Sequence, residues 1–245
     1  MSFSLADIVQ SACDELGLPR LPNVIGNTDA QARRMLALAN RQGRDLVTQN
    51  TWVELQRLYS FDTVSGQAEY PLPDDFSRIV IDTIWDRSQL SPIKGPIQPA
   101  TWQSIKSGII GTGLYYRRYR VMRSVSSTAK KFVIDPTPGT SGDTLVFEYI
   151  SKNWCQLQDG TASNDTFQND TDTVLLSSDL MLMGLLWRWQ KANGLEFTTQ
   201  LAEYNEALDT TIATNAPASG LSMAGPVVSQ QFIGYPNIPT TDYGS

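Results

Sequence analysis

Between residues 115 and 131 the sequence reads YYRRYRVMRSVSSTAKK, setting Arg117, Arg118, Arg120, Arg123, Lys130 and Lys131 among aromatic residues with no acid to balance them. On a strand, Arg118 and Arg120 share one face, while Arg117, Tyr119 and Arg123 group only loosely and only if a bend intervenes. Cations interleaved with rings suit a nucleic acid, whose bases stack while its phosphates are neutralised. They equally suit an acidic surface on a neighbouring subunit, and the acidity of the whole chain favours that second use. A second basic set lies in residues 28–50, TDAQARRMLALANRQGRDLVTQN, where helical periodicity of about 100° per residue brings Arg33, Arg34, Arg41 and Arg44 onto one arc. Ala32, Met35, Leu36, Ala39, Gly43, Leu46 and Val47 fall on the packing arc.

Other chemistries find little support. The chain contains no histidine, which removes Ser-His-Asp and Cys-His catalysis and the HExxH zinc site. Neither GxxxxGK[ST] nor GxGxxG occurs, and the glycine-rich GIIGTGLYY at 108–116 precedes a strand, so it reads as a loop. Asp159, Asp165, Asp170 and Asp172 do not follow the EF-hand spacing and read as solvated turn residues. Strand ends and turns account for Asp74/Asp75 and Asp82/Asp86, which receive no acid/base role. Cys13 and Cys155 make no metal spacing and are expected to be reduced, buried and small. No catalytic residue, cofactor or metal is expected.

Helices at the two ends of the chain must position these residues. The first, at 4–16, has Ser4 and Asp7 in capping positions and ends at Gly17 and Pro19. The long helix at 28–50 has Thr28 and Gln31 spaced as a capping box, and its small residues Ala32, Ala39 and Gly43 would admit another helix closely. Alternating or β-branched runs at 57–64, 77–85, 113–122, 131–135 and 143–151 predict about five to seven strands, interrupted by a short helix at 99–107 with Pro99 in its first turn. The polar stretch 159–172 reads as an exposed loop. A helix at 179–192, capped by Ser177 or Ser178, is apolar nearly all round and is expected to be deeply buried. A last helix carries Phe197, Leu201, Tyr204, Leu208 and Ile212.

A length of 245 residues accommodates one core with an insertion, and a composition of 41% hydrophobic and 18% charged residues is that of a folded protein with fewer charges than usual. Net charge is −6 and the isoelectric point about 4.7, so any contact with DNA has to come from a local patch. The first ten residues have no basic n-region, so no signal peptide is expected, and the apolar run 174–187 is too short for a bilayer. Synthesis in a cytoplasm and no membrane contact follow. The expected fold class is α+β: a helical bundle formed by the N- and C-terminal helices, with an inserted β-rich region and an extended C-terminal arm. The divisions are 1–56, 57–172, 173–213 and 214–245. The last segment lacks Lys and Arg, has one acid at Asp242, and carries Phe232, Ile233, Tyr235 and Ile238. Disordered termini are usually charged and poor in aromatics, so it reads as an arm that orders on a partner.

The stretch DAQARRMLALANRQGRDL, after a helix LADIVQSACDELGLP and a turn-rich link, resembles the head-to-tail adaptor proteins of tailed bacteriophages, the head–tail connector or tail tubular protein A group. The match covers about residues 4–56; beyond it the likeness is architectural, and the long insertion and uncharged arm depart from smaller members. The resemblance implies a structural virion protein at the head–tail junction, made in a bacterial host and assembled as a dodecameric ring under the portal. Such a ring extends the channel for genomic DNA and receives the tail tube or nozzle protein. It further implies that the arm, through Phe232, Ile233, Tyr235 and Ile238, grips the portal protein, and that the helices form the ring wall. Arg33, Arg34, Arg41, Arg44, Arg117, Arg118, Arg120 and Arg123 would then meet a neighbouring subunit or the DNA channel.

Overall fold

A computed structural model describes residues 3–108, 117–123, 129–158, 160 and 162–215. The glycine-rich 109–116, with the start of the strand expected at 113–122, and the arm with Phe232, Ile233, Tyr235 and Ile238 lie outside the described residues. The fold is α+β, and the chain divides into two compact units. Among the described residues, one takes those up to Gln56 together with 150–215, and the other is Arg57–Tyr149.

The first unit is built on helices. In α1 (Leu5–Glu15) the Ser4 hydroxyl accepts from the Asp7 N–H while the Asp7 carboxylate accepts from the Ser4 N–H, the reciprocal cap that the sequence announces. For α2 (Ala30–Gln49) the cap is Asp29, one residue later than the expected Thr28, and its carboxylate accepts from the Gln31 N–H at 3.3 Å. A carboxylate at this position adds charge to hydrogen bonding, because the helix start is its positive end.

Helix α4 (Ser178–Ala192), capped by Ser177, packs against α1, α2 and α5 (Thr198–Asn215). Two glycines permit the close approaches. A Cβ at Gly43 of α2 would fall inside the indole of Trp154, and one at Gly184 of α4 would fall on the amide of Gln42. Gly43 therefore admits an indole, where the sequence suggested a helix, and the helix–helix approach is made at Gly184.

The stretch from 150 to 174 is part of this unit. Strand β9 (Cys155–Gln156) lies between β10 (Ser163–Asn164) and β11 (Thr173–Val174), and Trp154, Cys155 and Phe167 are buried. Residues 163–172 are accordingly not the exposed loop expected. Asp172 is fully buried, and its carboxylate accepts from the N–H groups of Gln158, Gln168 and Asn169. Asp170 accepts from Val24 and Ile25, while the carbonyls of Asp170 and Asp172 take the first-turn N–H groups of α1 from Ala6 and Leu5. These acids supply acceptors to backbone donors that would otherwise be orphaned.

In the second unit β1 (Gln56–Asp62), β8 (Thr144–Ser151), β4 (Trp85–Asp86) and β5 (Ser91–Pro92) form one sheet, with β3 (Phe76–Ile79) also pairing β8. A further sheet has the order β2 (Glu69–Pro71), β7 (Lys130–Asp135), β6 (Arg118–Arg123). The run expected as one strand at 77–85 is broken at Asp82, whose φ of 64° marks a turn between β3 and β4. Rings join the two sheets: Tyr119 of β6 stacks on Phe132 of β7 at 5.1 Å, and Phe132 stacks on Phe147 of β8 at 5.5 Å. The short helix α3 (Pro99–Lys106) starts at Pro99 as expected and is tied to β7 by Lys106–Asp135 at 2.5 Å.

Gly43→Ala tests the packing. The new methyl forces the Trp154 indole aside, and overpacking of this kind costs about 1–3 kcal/mol. Urea unfolding should show a lower midpoint with an unchanged slope; an unaltered midpoint would mean that the indole moves freely.

Candidate interaction surfaces

Helix α2 separates its two jobs by face. Ala32, Met35, Ala39, Gln42, Gly43, Leu46 and Val47 are buried, whereas Ala30, Arg33, Arg34, Ala37, Arg41, Arg44 and Thr48 are all exposed. The expected arginine arc is therefore present as a solvent-facing surface. Arg34 is steadied by donating to Asn193 Oδ1 at 2.6 Å and by lying over the Trp189 ring, and Arg41 stands 3.9 Å from Asp45. Arg33 and Arg44 form no ion pair among the described residues.

A buried polar network fixes the orientation of this helix. Arg188 of α4, only 8% exposed, donates through Nε to Gln42 Oε1 and through Nη2 to Asp45 Oδ2, both at 2.7 Å. Gln42 Nε2 donates to the Tyr204 hydroxyl at 3.0 Å and to the Leu180 carbonyl at 3.3 Å, and Tyr204 donates to Gln49 Oε1 at 3.1 Å. Burial pulls the Arg188 pKa down, and Asp45 opposes that shift by favouring the cation. Nothing in the sequence alone points to this network. Gln42 lies inside an apolar stripe, and Arg188 lies in a helix that reads as apolar nearly all round.

The basic run of the second unit divides differently. Arg117 turns inward as a fork between two acids, pairing with Asp86 at 2.5 Å and with Asp143. Asp86 is fully buried and also accepts from the N–H groups of Ser88 and Gln89. The Arg117 guanidinium holds the Asp143 carboxyl below the usual carboxylate range, against the opposing effect of burial. Lys130 donates to the Ser77 carbonyl and sits over the Phe76 ring, and Lys131 pairs with Glu69 at 2.9 Å.

On β6, Tyr119 points into the core, where burial pushes its pKa up to about 12. Arg118 and Arg120 share the other face, as alternation requires; Arg118 is in register with Asp135 and Arg120 with Val133. Arg123 is exposed at the strand end. Outward cations of this run thus reduce to Arg118, Arg120 and Arg123.

One apolar feature was not foreseen. Leu58 and Leu90, 61% and 57% exposed, line a groove of about 300 Å³ with Trp85 and Val146, and Arg87 and Glu148 also line it. The cysteines behave as expected: both are free and buried, and burial drives the Cys155 thiol up to about 12. Among the described residues no three Cys, Asp or Glu side chains converge on a metal site, and no helix is long and apolar enough to cross a membrane.

In comparison with known proteins, a family model described as SU10 adaptor protein matches residues 3–229. No curated protein matches the chain.

Replacing Arg117 by Met strands the buried Asp86 carboxylate without its cation, and breaking such a pair costs about 3–5 kcal/mol. Thermal denaturation should show a large loss for Arg117→Met and a change of less than about 0.5 kcal/mol for Arg118→Ala on the surface. The pH dependence carries a sign. Because the folded Asp143 pKa is depressed, its contribution is present above the unfolded value of about 4 and is lost as pH falls towards the lower folded value. Arg117→Met should flatten the stability curve in that acid window.

Proposed function

The chain belongs to the SU10 adaptor protein family, a phage head-to-tail adaptor family and structural in character, and from that premise we propose that it is a virion protein forming a ring under the portal. The ring, a dodecamer in this reading, extends the channel for genomic DNA and offers the tail tube or nozzle protein a platform. The helical unit supplies the ring wall. The strand-rich unit faces the tail or neighbouring subunits, and the segment from 216 onward grips the portal through Phe232, Ile233, Tyr235 and Ile238. The protein acts at the head–tail junction after synthesis in the host cytoplasm. Its mechanism is geometric: a weak contact repeated around a ring adds up to firm attachment without chemistry.

The carrying observation is that α2 is locked on one side by Gln42, Arg188 and Tyr204 while it displays Arg33, Arg34, Arg41 and Arg44 on the other. Such a fixed cationic face suits a surface met repeatedly in one register. An alternative reading, a nucleic-acid module on residues 117–131, is weakened by the engagement of Arg117, Lys130 and Lys131 within their own unit.

Electron microscopy and native mass spectrometry of the protein mixed with its portal should reveal a ring. Removing residues after Thr214 should leave the circular dichroism melt unchanged and abolish portal attachment. A chain that stays monomeric with and without the portal overturns the reading, and a salt-sensitive shift of duplex DNA by the isolated protein supports the nucleic-acid alternative.

A further inference from the structure

Charge on the helical unit is sorted by helix. Alongside the arginine arc of α2, helix α5 carries Glu203, Glu206 and Asp209, all exposed, and its sequence contains no Lys or Arg. Residues three apart turn by about −60° on a helix, so the three acids occupy an arc of about 120°. Arg41 and Arg44 share the same three-residue spacing, a rise of roughly 4.5 Å, and Arg33 lies eight residues, roughly 12 Å, before Arg41.

Neither set is placed to favour the dipole of its own helix, and among the described residues the one ion pair between the arc and α2 itself is the long Arg41–Asp45 contact at 3.9 Å. Cations favour a helix C-terminus and acids an N-terminus, yet the last turn of α2 holds no basic residue and the first turn of α5 no acid. Like charges three apart on one face repel. No ion pair joins α2 to α5 within the chain among the described residues. Asp45, which stands 3.9 Å from Arg41, is held more closely by Arg188 at 2.7 Å. Among the described residues, Arg33, Arg44, Glu203, Glu206 and Asp209 thus form no ion pair, and the two faces carry opposite charge.

We propose that the arc Arg33, Arg41 and Arg44 of one copy docks on the arc Glu203, Glu206 and Asp209 of the next copy. This inference rests on the ring reading and names the partner of the basic face. Two different patches meeting head to tail form a heterologous interface, the kind that closes into a ring when the rotation between copies is right. DNA is the poorer occupant: the chain has a net charge of −6, and the acidic arc belongs to the same unit as the basic one, so it repels a phosphate backbone and attracts a second copy.

Two full-length variants test the pairing, one with Arg33→Glu, Arg41→Glu and Arg44→Glu, the other with Glu203→Arg, Glu206→Arg and Asp209→Arg. Sedimentation velocity and native mass spectrometry at low salt, alone and with the portal protein, should show each variant at least tenfold weaker in self-association. A one-to-one mixture should recover it, because each reversed face meets its reversed partner, and recovery also demonstrates that both variants fold. Should either triple variant melt early, the single reversals Arg41→Glu and Glu206→Arg are read in the same way. Assembly that survives either reversal, or folded variants that do not recover when mixed, overturns the pairing while leaving the ring intact. Assembly of the wild type only around added duplex DNA, lost with the α2 variant alone, assigns the basic arc to DNA instead. If the wild-type chain assembles neither alone nor on the portal, the ring reading itself fails and the inference with it.

Discussion

At Gly184, α4 has no side chain, and the amide of Gln42 occupies the space that a Cβ would fill. The helical unit depends on this approach. It allows a fully buried glutamine to reach the guanidinium of Arg188, the hydroxyl of Tyr204 and the carbonyl of Leu180, which together meet both its donor and its acceptor needs. A buried polar group left unmatched costs about 1–3 kcal/mol, so the network tolerates one arrangement of α2, α4 and α5 and penalises sliding of any of them. Apolar packing alone would be more permissive, since it specifies area better than register. The polar contacts therefore fix which residues of α2 face outward.

The strand-rich unit reaches the same end by a different route. Its aromatic stack from Tyr119 through Phe132 to Phe147 holds two sheets together, yet ring stacking leaves rotation and slip partly open. Arg117 closes that freedom. Its planar fork satisfies Asp86 and Asp143 at once, a geometry that a lysine could not reproduce. A cation that reads as a partner-binding group from its neighbours in sequence is thus consumed in fixing the fold, and it leaves Arg118, Arg120 and Arg123 outside.

Periodicity carried much of the architecture. The apolar stripe and arginine arc of α2, the start of α3 at Pro99 and the buried α4 with its Ser177 cap all express local rules, and local rules are visible in a single sequence. What escaped depends on pairing at long range. Thr28 and Asp29 are both good caps, and the choice between them turned on where the chain enters the helix. Asp170 and Asp172 look like turn residues by composition, but their acceptors meet N–H groups as far away as Val24 and Ile25. Arg188 was passed over and Arg117 misread for one reason: a buried charge is recognisable only with its counter-charge, and Asp45, Asp86 and Asp143 lie far from them along the chain. The one available signal was Asp143, which stands alone just before the apolar stretch 145–147.

A weak surface suits an adaptor better than a strong one. Exposed ion pairs contribute about 0.2–1 kcal/mol each, and screening at physiological salt acts over about 8 Å. A few such pairs between two copies leave a free chain mostly unassembled. In the proposed ring, copies bound side by side on a template would face each other at high effective concentration, and the same pairs would suffice to lock them. Rigid display then matters more than contact strength, because every copy must present its charges in the same register for the pairs to form together. The buried network behind α2 supplies that rigidity, and on the proposed pairing a polar core and a charged face would be parts of one device: the first fixes the geometry in which the second can add.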